Sequence, residues 1–222
     1  MAIRPIFIVD NEKSMFIEEQ VNFTWYSGFS VSQKQKSILS LHEEFLKAHI
    51  GSKILEVSTK SNTELGKMLS AFNLKIRTVK TNIEVYVESA YQSSKIFQNG
   101  GPYTDIIYMN PREAKKDIRL KTSGKLIGFK FIGREFEKEP KSLFYDWLYI
   151  NSLLQHEDLV RKVIEFDAFS DIEFNPNKSV SCQAKALALF VTIYRQNKDF
   201  DFNNVTDFKK LYKNYEQMSL LD

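Results

Sequence analysis

Residues 179–196 read SVSCQAKALALFVTIYRQ, from Ser179 to Gln196, and their apolar positions recur at the spacing of a helix. Three further segments in this part of the chain also predict helices with an apolar face: Leu143–Leu154, Glu157–Phe166 and Val205–Gln217. Such a face is stable only when it packs against another element, so these helices need a shared core. The C-terminal part of the chain is therefore expected to be mostly helical.

The N-terminal part predicts more helices and a small amount of β-structure. Branched and aromatic residues in Ile6–Val9 and Met15–Tyr26 flank a polar turn, which is typical of a hairpin. Further strands are expected at Leu74–Val79 and Leu126–Ile132. Helices are expected at Ser32–His49, behind a capping box of Ser61 and Glu64, at Val85–Gln98 and at Pro111–Leu120. These elements predict a mainly α fold (α+β), a multihelical single domain with a small β-sheet.

Composition limits the classes of protein to which the chain can belong. With 222 residues, 43% of them hydrophobic, it can bury a substantial core, and we expect one domain over residues 1–222. No apolar run approaches the roughly 20 residues of a membrane-spanning helix, and residues 1–10 lack a signal-peptide pattern, so a cytoplasmic protein without a membrane partner is expected. Because the single cysteine excludes an internal disulfide and three scattered histidines give no metal-ligand spacing, neither a metal nor a cofactor is expected. The net charge of +3 permits an anionic partner.

The segment ESAYQSSK, residues 88–95, carries the strongest chemical pattern in the sequence. On a helix, Glu88, Gln92 and Lys95 stand at i, i+4 and i+7 and share one face. A carboxylate can shuttle protons during cleavage of a glycosidic bond, and an amine of lowered pKa can capture an opened sugar as a Schiff base. The spacing alone is more typical of a solvated helix face with a Glu and Lys pair.

The same segment resembles the signature of the NADAR superfamily, in which a Glu is followed by an aromatic-Gln pair and then a Lys. Further segments are similar to the toxin-associated branch of that superfamily, and together they extend the likeness over nearly the whole chain. They are GFSVSQKQKS (28–37), LEVSTKS (55–61), LSAFNL (69–74), GGPY (100–103), FYDWLYI (144–150) and DIEFNP (171–176). A NADAR-like fold is what the resemblance implies.

The resemblance also implies an activity and a partner. The activity is removal of ADP-ribose from guanine bases of single-stranded DNA, which reverses the modification made by a partner DarT-type toxin. Glu88 would be the acid/base and Lys95 the Schiff-base amine. Asp171 would orient a ribose hydroxyl or the lysine. It stands in Phe169-Ser170-Asp171-Ile172, where the superfamily usually has Trp-Gly-Asp-Gly, so both glycines are missing.

Candidate substrate-binding residues lie in several of the similar segments. Lys34 and Lys36 stand at the start of a predicted helix, where amines and unpaired backbone amides could hold a diphosphate, although two solvated lysines would give the same pattern. Aromatic side chains could stack on a base. The full set of candidates is Lys34, Lys36, Gln92, Tyr91, Tyr103, Phe29, Glu56 and Glu173.

A basic stripe is the candidate DNA-binding surface. On the predicted helix Pro111–Leu120, its members stand at i, i+3, i+4 and i+7 and could follow a phosphate backbone without reading bases. Charge runs are often solvated faces, and Glu113 and Asp117 interrupt this one. The members of the stripe are Arg112, Lys115, Lys116 and Arg119.

Two other functions stay open from the sequence. An N-glycosidase acting on a small phosphorylated metabolite, of the riboflavin-precursor type, would use the same Glu88 and Lys95 but need no DNA surface. An antitoxin that neutralises its toxin by binding it would need neither residue.

Overall fold

Short strands and helices alternate along the chain in a computed structural model, which describes residues 1–12, 15–78 and 82–218. The strands are β1 (Ala2–Ile8), β2 (Ile17–Phe23), β3 (Ile54–Glu56), β4 (Lys75–Arg77), β5 (Glu84–Tyr86), β6 (Lys95–Phe97), β7 (Leu126–Phe131), β8 (Arg134–Glu137) and β9 (Ala168–Ser170). The helices are α1 (Val31–Ala48), α2 (Glu64–Met68), α3 (Val87–Ser93), α4 (Pro111–Ala114), α5 (Arg119–Thr122), α6 (Leu143–Leu153), α7 (Glu157–Val163), α8 (Gln183–Gln196) and α9 (Val205–Met218). A 3-10 turn covers Thr104–Tyr108.

The largest sheet joins segments that are far apart in sequence. Its strand order is β2-β1-β9-β3, in which β9 runs parallel to β3 and antiparallel to β1. Ser170, the last residue of β9, is therefore paired with Ile6 on one side and with Glu56 on the other. Two smaller sheets have the orders β4-β5 and β6-β7-β8. The β9–β3 pairing brings the segment after Ser170 next to Glu56.

Two apolar cores hold the sheets and helices together. The larger contains buried residues from Phe7 to Tyr212 and the inward faces of α6 and α8. The smaller lies between α1 and the largest sheet, where Leu41 and Phe45 pack near Phe23. α6 and α8 are buried over most of their length, so their side chains fill the larger core.

Most of the long predicted elements are confirmed, including the hairpin of β1 and β2 and the helices α1, α6, α7, α8 and α9. The strand expected at Leu74–Val79 corresponds to β4, and Val79 itself lies outside the described residues. α8 begins at Gln183 instead of Ser179, because residues 179–182 form part of a loop that faces a cavity. The fold is mixed α+β and has more sheet than the single small sheet that was expected.

Three local predictions are wrong. The helix expected over Val85–Gln98 is divided into β5, α3 and β6, because residues after Ser94 pair with β7. The helix expected over Pro111–Leu120 is divided into α4 and α5, because the Asp117 side chain accepts the backbone N–H of Arg119 in a local turn. Thr63, and not Ser61, caps α2 by accepting the backbone N–H of Gly66.

Two glycines allow backbone segments to approach each other near the cavity. A side chain at Gly66 would overlap the carbonyl oxygen of Glu56, so glycine lets α2 rest against β3. Gly101 has a φ of +86°, and a side chain there would overlap the carbonyl oxygen of Lys95. Glycine at these two positions therefore leaves room for the backbone of Glu56 and of Lys95.

Within the described part of the chain, no helix has both the length and the apolar character needed to cross a bilayer.

Candidate functional site

A cavity of about 920 Å³ opens between α3, the start of β6, the segment after β9 and the short helices α4 and α5. Its inner wall carries Glu88, Gln92 and Lys95, and Asp171 lies on the wall contributed by the segment after β9. Glu88 and Asp171 are both buried. Elements from distant parts of the sequence thus bring carboxyl, amide and amine groups to one cavity.

Glu88, Gln92 and Lys95 form a chain of hydrogen bonds. The Gln92 Nε2 donates to Glu88 Oε1 at 2.8 Å, and Lys95 Nζ donates to Gln92 Oε1 at 2.7 Å. The prediction that all three lie on one helix is wrong, because α3 ends at Ser93 and Lys95 opens β6. The turn at Ser94 nevertheless brings the amine back to the Gln92 amide, so the three groups meet as expected.

Lys95 lies in an environment that favours its neutral form. Burial lowers the pKa of Lys95 to about 8. The nearby Glu88 carboxylate opposes this shift, and the positive charge of Lys115 adds to it. The Lys95 Nζ also lies 4.7 Å from the centre of the Tyr91 ring. A large fraction of this amine is therefore uncharged at mildly alkaline pH, which is the form that attacks a carbonyl carbon.

Lys115 approaches Glu88 from the mouth of the cavity. Its Nζ lies 3.3 Å from Glu88 Oε1, while the Lys115 side chain stays 55% exposed. The Glu88 side chain is only 6% exposed, so the carboxylate lies between a solvated lysine and the buried Gln92 amide. A solvated amine thus lies within ion-pair distance of the Glu88 carboxylate.

Behind Asp171 lies a second carboxyl group, that of Glu56. The Glu56 carboxyl accepts the Ser170 hydroxyl at 2.6 Å and the Ile172 backbone N–H at 2.9 Å. Burial raises the pKa of Glu56 to about 7. Burial, and to a smaller extent the charge of Glu56, raises the pKa of Asp171 well above its ordinary value. Because burial penalises the charged form of both groups, each carboxyl group keeps its proton to a higher pH than a solvated one does.

Comparison with known families identifies the chain. A family model described as the DarT1-associated NADAR antitoxin matches residues 2–220. The chain belongs to the NADAR-DarT1 family. A search of curated proteins finds no match.

The structure of this NADAR-family chain brings eight of the predicted site residues to the cavity. They are Glu88, Tyr91, Gln92, Lys95, Arg112, Lys115, Asp171 and Glu173. Lys34 does not line the cavity, and its Nζ binds Glu173 at 3.0 Å and lies 4.5 Å from the centre of the Trp25 ring. Glu56 lies behind Asp171. The roles of these residues toward a substrate stay proposals.

Other predicted residues lie away from the cavity wall. Phe29 is fully exposed in the loop before α1, and Lys36 is exposed on α1. Tyr103 shares a hydrogen bond with Ser123, and the guanidinium of Arg119 lies 4.5 Å from the centre of the Tyr103 ring.

The expected basic stripe does not exist as one helix face, because α4 and α5 are separate. Arg119 binds Asp105 at 2.7 Å and Asp117 at 2.8 Å, so its charge is already paired. Lys116 does not line the cavity, whereas Arg112 and Lys115 do. Only these last two members of the stripe face the space in which a substrate would bind.

Among the residues that the structure describes, sequence reasoning missed three cations that line the cavity and one amide that supports it. The cations are Lys60, Lys121 and Lys178. Gln183 accepts the backbone N–H of Ala71 at 2.7 Å, and the Ala71 carbonyl accepts the backbone N–H of Glu88 at 2.9 Å. Lys60 lies in the LEVSTKS segment, but the positions of Lys121, Lys178 and Gln183 depend on contacts between distant segments that no local pattern reveals.

The raised pKa of Glu56 leads to a testable dependence of stability on pH. Glu56 keeps its proton to a higher pH in the folded chain than in the unfolded chain, so its contribution is fully present below pH 4.5 and is lost as pH rises through about 7. The shift corresponds to about 3 kcal/mol. Burial lowers the pKa of His42 to about 4, which acts in the opposite direction over nearly the same range.

Because the two effects oppose each other in the wild type, the test compares variants. We expect the free energy of unfolding of Glu56→Gln, minus that of the wild type, to rise by about 3 kcal/mol between pH 4.5 and pH 7. Urea titrations at several pH values measure this difference, and Glu43→Gln, an exposed glutamate of α1, is the matched control. A difference that stays constant over this range would contradict the buried carboxyl pair.

Proposed function

We propose that this chain is an ADP-ribosyl glycohydrolase that releases ADP-ribose from guanine bases of single-stranded DNA and so reverses a DarT-type toxin. The observation that carries the proposal is the hydrogen-bonded chain of Glu88, Gln92 and Lys95 on the wall of a large cavity, opposite a loop that presents Asp171. It combines a carboxylate for proton transfer with an amine whose pKa is lowered to about 8. Membership of a family of DarT1-associated antitoxins supports the choice of substrate.

In the proposed reaction, a proton from Glu88 reaches the ring oxygen of the ribose attached to guanine, and the furanose opens. The neutral amine of Lys95 then adds to C1″, and the guanine nitrogen leaves with the bonding electron pair and a proton. Water adds to the resulting lysine imine, and its hydrolysis releases ADP-ribose and restores the amine. The net change is addition of one water across the C1″–nitrogen bond.

The size and charge of the cavity suit ADP-ribose with an attached oligonucleotide. A volume of about 920 Å³ lies at the upper end of the range for pockets that hold a nucleotide-sized ligand. Carboxyl groups lie on the inner walls, and the cations that line the cavity are Lys60, Lys95, Arg112, Lys115, Lys121 and Lys178. We infer that the ribose binds toward Glu88 and Asp171 while phosphates bind among the cations.

The cations give a prediction that separates DNA from a small substrate. We expect the triple change of Arg112, Lys121 and Lys178 to Ala to weaken action on an ADP-ribosylated oligonucleotide by about tenfold or more at low salt, because phosphate contacts release counterions. The slope of the logarithm of affinity against the logarithm of salt concentration should become shallower by about 2. Each lost contact to single-stranded DNA contributes about 0.7 to that change. Action on ADP-ribosylated guanosine should change much less.

A control triple variant keeps the change in net charge the same. Lys116, Lys141 and Lys162 are exposed and do not line the cavity, so their replacement by Ala should leave action on both substrates unchanged. Equal losses of activity on the oligonucleotide and on the nucleoside in the first variant would argue against DNA binding by these three cations. Such a result would favour the N-glycosidase acting on a small phosphorylated metabolite.

Coexpression with the toxin tests the alternative in which the chain protects by binding alone. If hydrolysis is the function, Glu88→Gln should lose protection although the protein folds and accumulates normally. Full protection by Glu88→Gln would favour a binding antitoxin and contradict the glycohydrolase.

A further inference from the structure

The carboxyl group of Glu56 binds the residues on both sides of Asp171. One of its oxygens accepts the hydroxyl of Ser170 at 2.6 Å, and the other accepts the backbone N–H of Ile172 at 2.9 Å. Glu56 is 3% exposed and does not line the cavity, whereas Asp171 does. The conformation of Asp171 at the cavity wall therefore depends on a carboxyl group that a substrate does not reach.

His42 of α1 extends this arrangement by one more hydrogen bond. Its Nε2 lies 2.8 Å from the Ser170 hydroxyl oxygen. With the Ser170 hydroxyl donating to Glu56, its oxygen accepts from His42 Nε2 in the tautomer that carries the proton on that nitrogen. Burial lowers the pKa of His42 to about 4, so the ring is neutral at neutral pH and carries one N–H for this bond.

The same helix also holds the far end of the segment. Lys34 binds Glu173 at 3.0 Å, and the backbone N–H of Glu173 donates to Asp171 Oδ1 at 3.0 Å. α1 therefore contacts residues immediately before and shortly after Asp171. Such support from outside the cavity is what a group needs if it must meet a substrate in one orientation.

We propose that His42 is a positioning residue, which acts through Ser170 and the Glu56 carboxyl group to hold Asp171 in the orientation in which it binds a ribose hydroxyl. The proposal rests on the proposed glycohydrolase function for the part that concerns ribose. The clamp itself, from His42 through Ser170 and Glu56 to the Ile172 amide, can be tested without any assay of activity.

The first test uses three variants and steady-state release of ADP-ribose from an ADP-ribosylated guanine oligonucleotide. His42→Leu should lower kcat by about tenfold to hundredfold, the range expected when a group that orients the reacting sugar is displaced by about 1 Å. His42→Gln should stay within threefold of the wild type, because its Nε2 amide can donate to Ser170. His49→Leu is the matched control, since His49 lies on the same helix but binds Glu19, away from the cavity. KM should change by less than threefold in all three.

A double variant tests whether His42 acts through Ser170. Ser170→Ala should itself lower kcat to a similar extent, and adding His42→Leu to it should cause no further loss, because both changes break the same chain of bonds. Losses that multiply in the double variant, or a wild-type kcat in His42→Leu, would overturn the proposal.

The second test measures hydrogen exchange and does not depend on the activity. The Ile172 amide should exchange at least tenfold faster in His42→Leu and in Ser170→Ala than in the wild type, His42→Gln or His49→Leu. The Val9 amide, which donates to Asp167 in the same sheet, is the internal reference for general destabilisation. Unchanged Ile172 exchange, or equal acceleration at Ile172 and Val9, would overturn the clamp. If the wild type releases no ADP-ribose while Ile172 exchange responds as expected, the proposed function fails and the clamp stands.

Discussion

Glu88→Gln is expected to reduce release of ADP-ribose by about 10²- to 10⁴-fold, the usual contribution of a general acid or base. The amide has nearly the same shape as the carboxyl group and can still accept a hydrogen bond from Gln92, which in the wild type measures 2.8 Å. The change therefore removes the titrating group and leaves the packing of α3 in place. Release is measured as free ADP-ribose, and circular dichroism with thermal unfolding checks that the variant is folded.

A matched substitution separates this effect from a general loss of negative charge. Glu84 lies on the strand just before α3, is exposed and pairs with Arg77, so Glu84→Gln should retain wild-type turnover. Turnover at the wild-type rate by folded Glu88→Gln would remove Glu88 from the mechanism.

Lys95→Ala is expected to have the second large effect, with loss of both turnover and covalent capture of the substrate. Borohydride added during turnover by the wild type should reduce the imine and leave ADP-ribose attached to Lys95, which peptide mass spectrometry can locate. Because burial lowers the pKa of Lys95 to about 8 and only the neutral amine attacks, the rate of trapping should rise with pH up to about 8 and level off above it.

Other lysines near the cavity provide the controls for this experiment. Lys115→Ala removes a solvated amine 3.3 Å from Glu88 and should leave trapping at Lys95 detectable. Trapping that persists in Lys95→Ala and disappears when Lys34 or Lys36 is changed would assign the covalent role to that lysine of α1. Turnover without trapping in any form would contradict an imine and would favour attack by water with Glu88 as base.

The sequence predicted well those features that depend on neighbouring residues. α6 and α8 were predictable because their apolar residues recur at helical spacing over three turns or more. Glu88 and Gln92 were likewise predictable as neighbours, since both lie within the single short helix α3. Local periodicity was enough in these cases.

Features that depend on pairing between distant segments were not predictable. β3 and β9 are each three residues long and pair with each other across more than a hundred residues of sequence, so neither shows a strand pattern of its own. Lys95 was assigned to a helix because its pairing with Phe129 cannot be seen locally. The chain from His42 to Glu56 through Ser170 was missed for the same reason, because it joins α1, β9 and β3.

The central claim is that the chain hydrolyses the bond between ADP-ribose and guanine, and one measurement tests it most directly. Purified protein is incubated with a single-stranded oligonucleotide that carries one ADP-ribosylated guanine, and the products are separated and identified by mass spectrometry. The account predicts free ADP-ribose and the unmodified oligonucleotide in equal amounts, with no such products from Glu88→Gln. An oligonucleotide that keeps its full ADP-ribose mass after incubation with folded wild-type protein, or that keeps a ribose phosphate after loss of AMP, would contradict it.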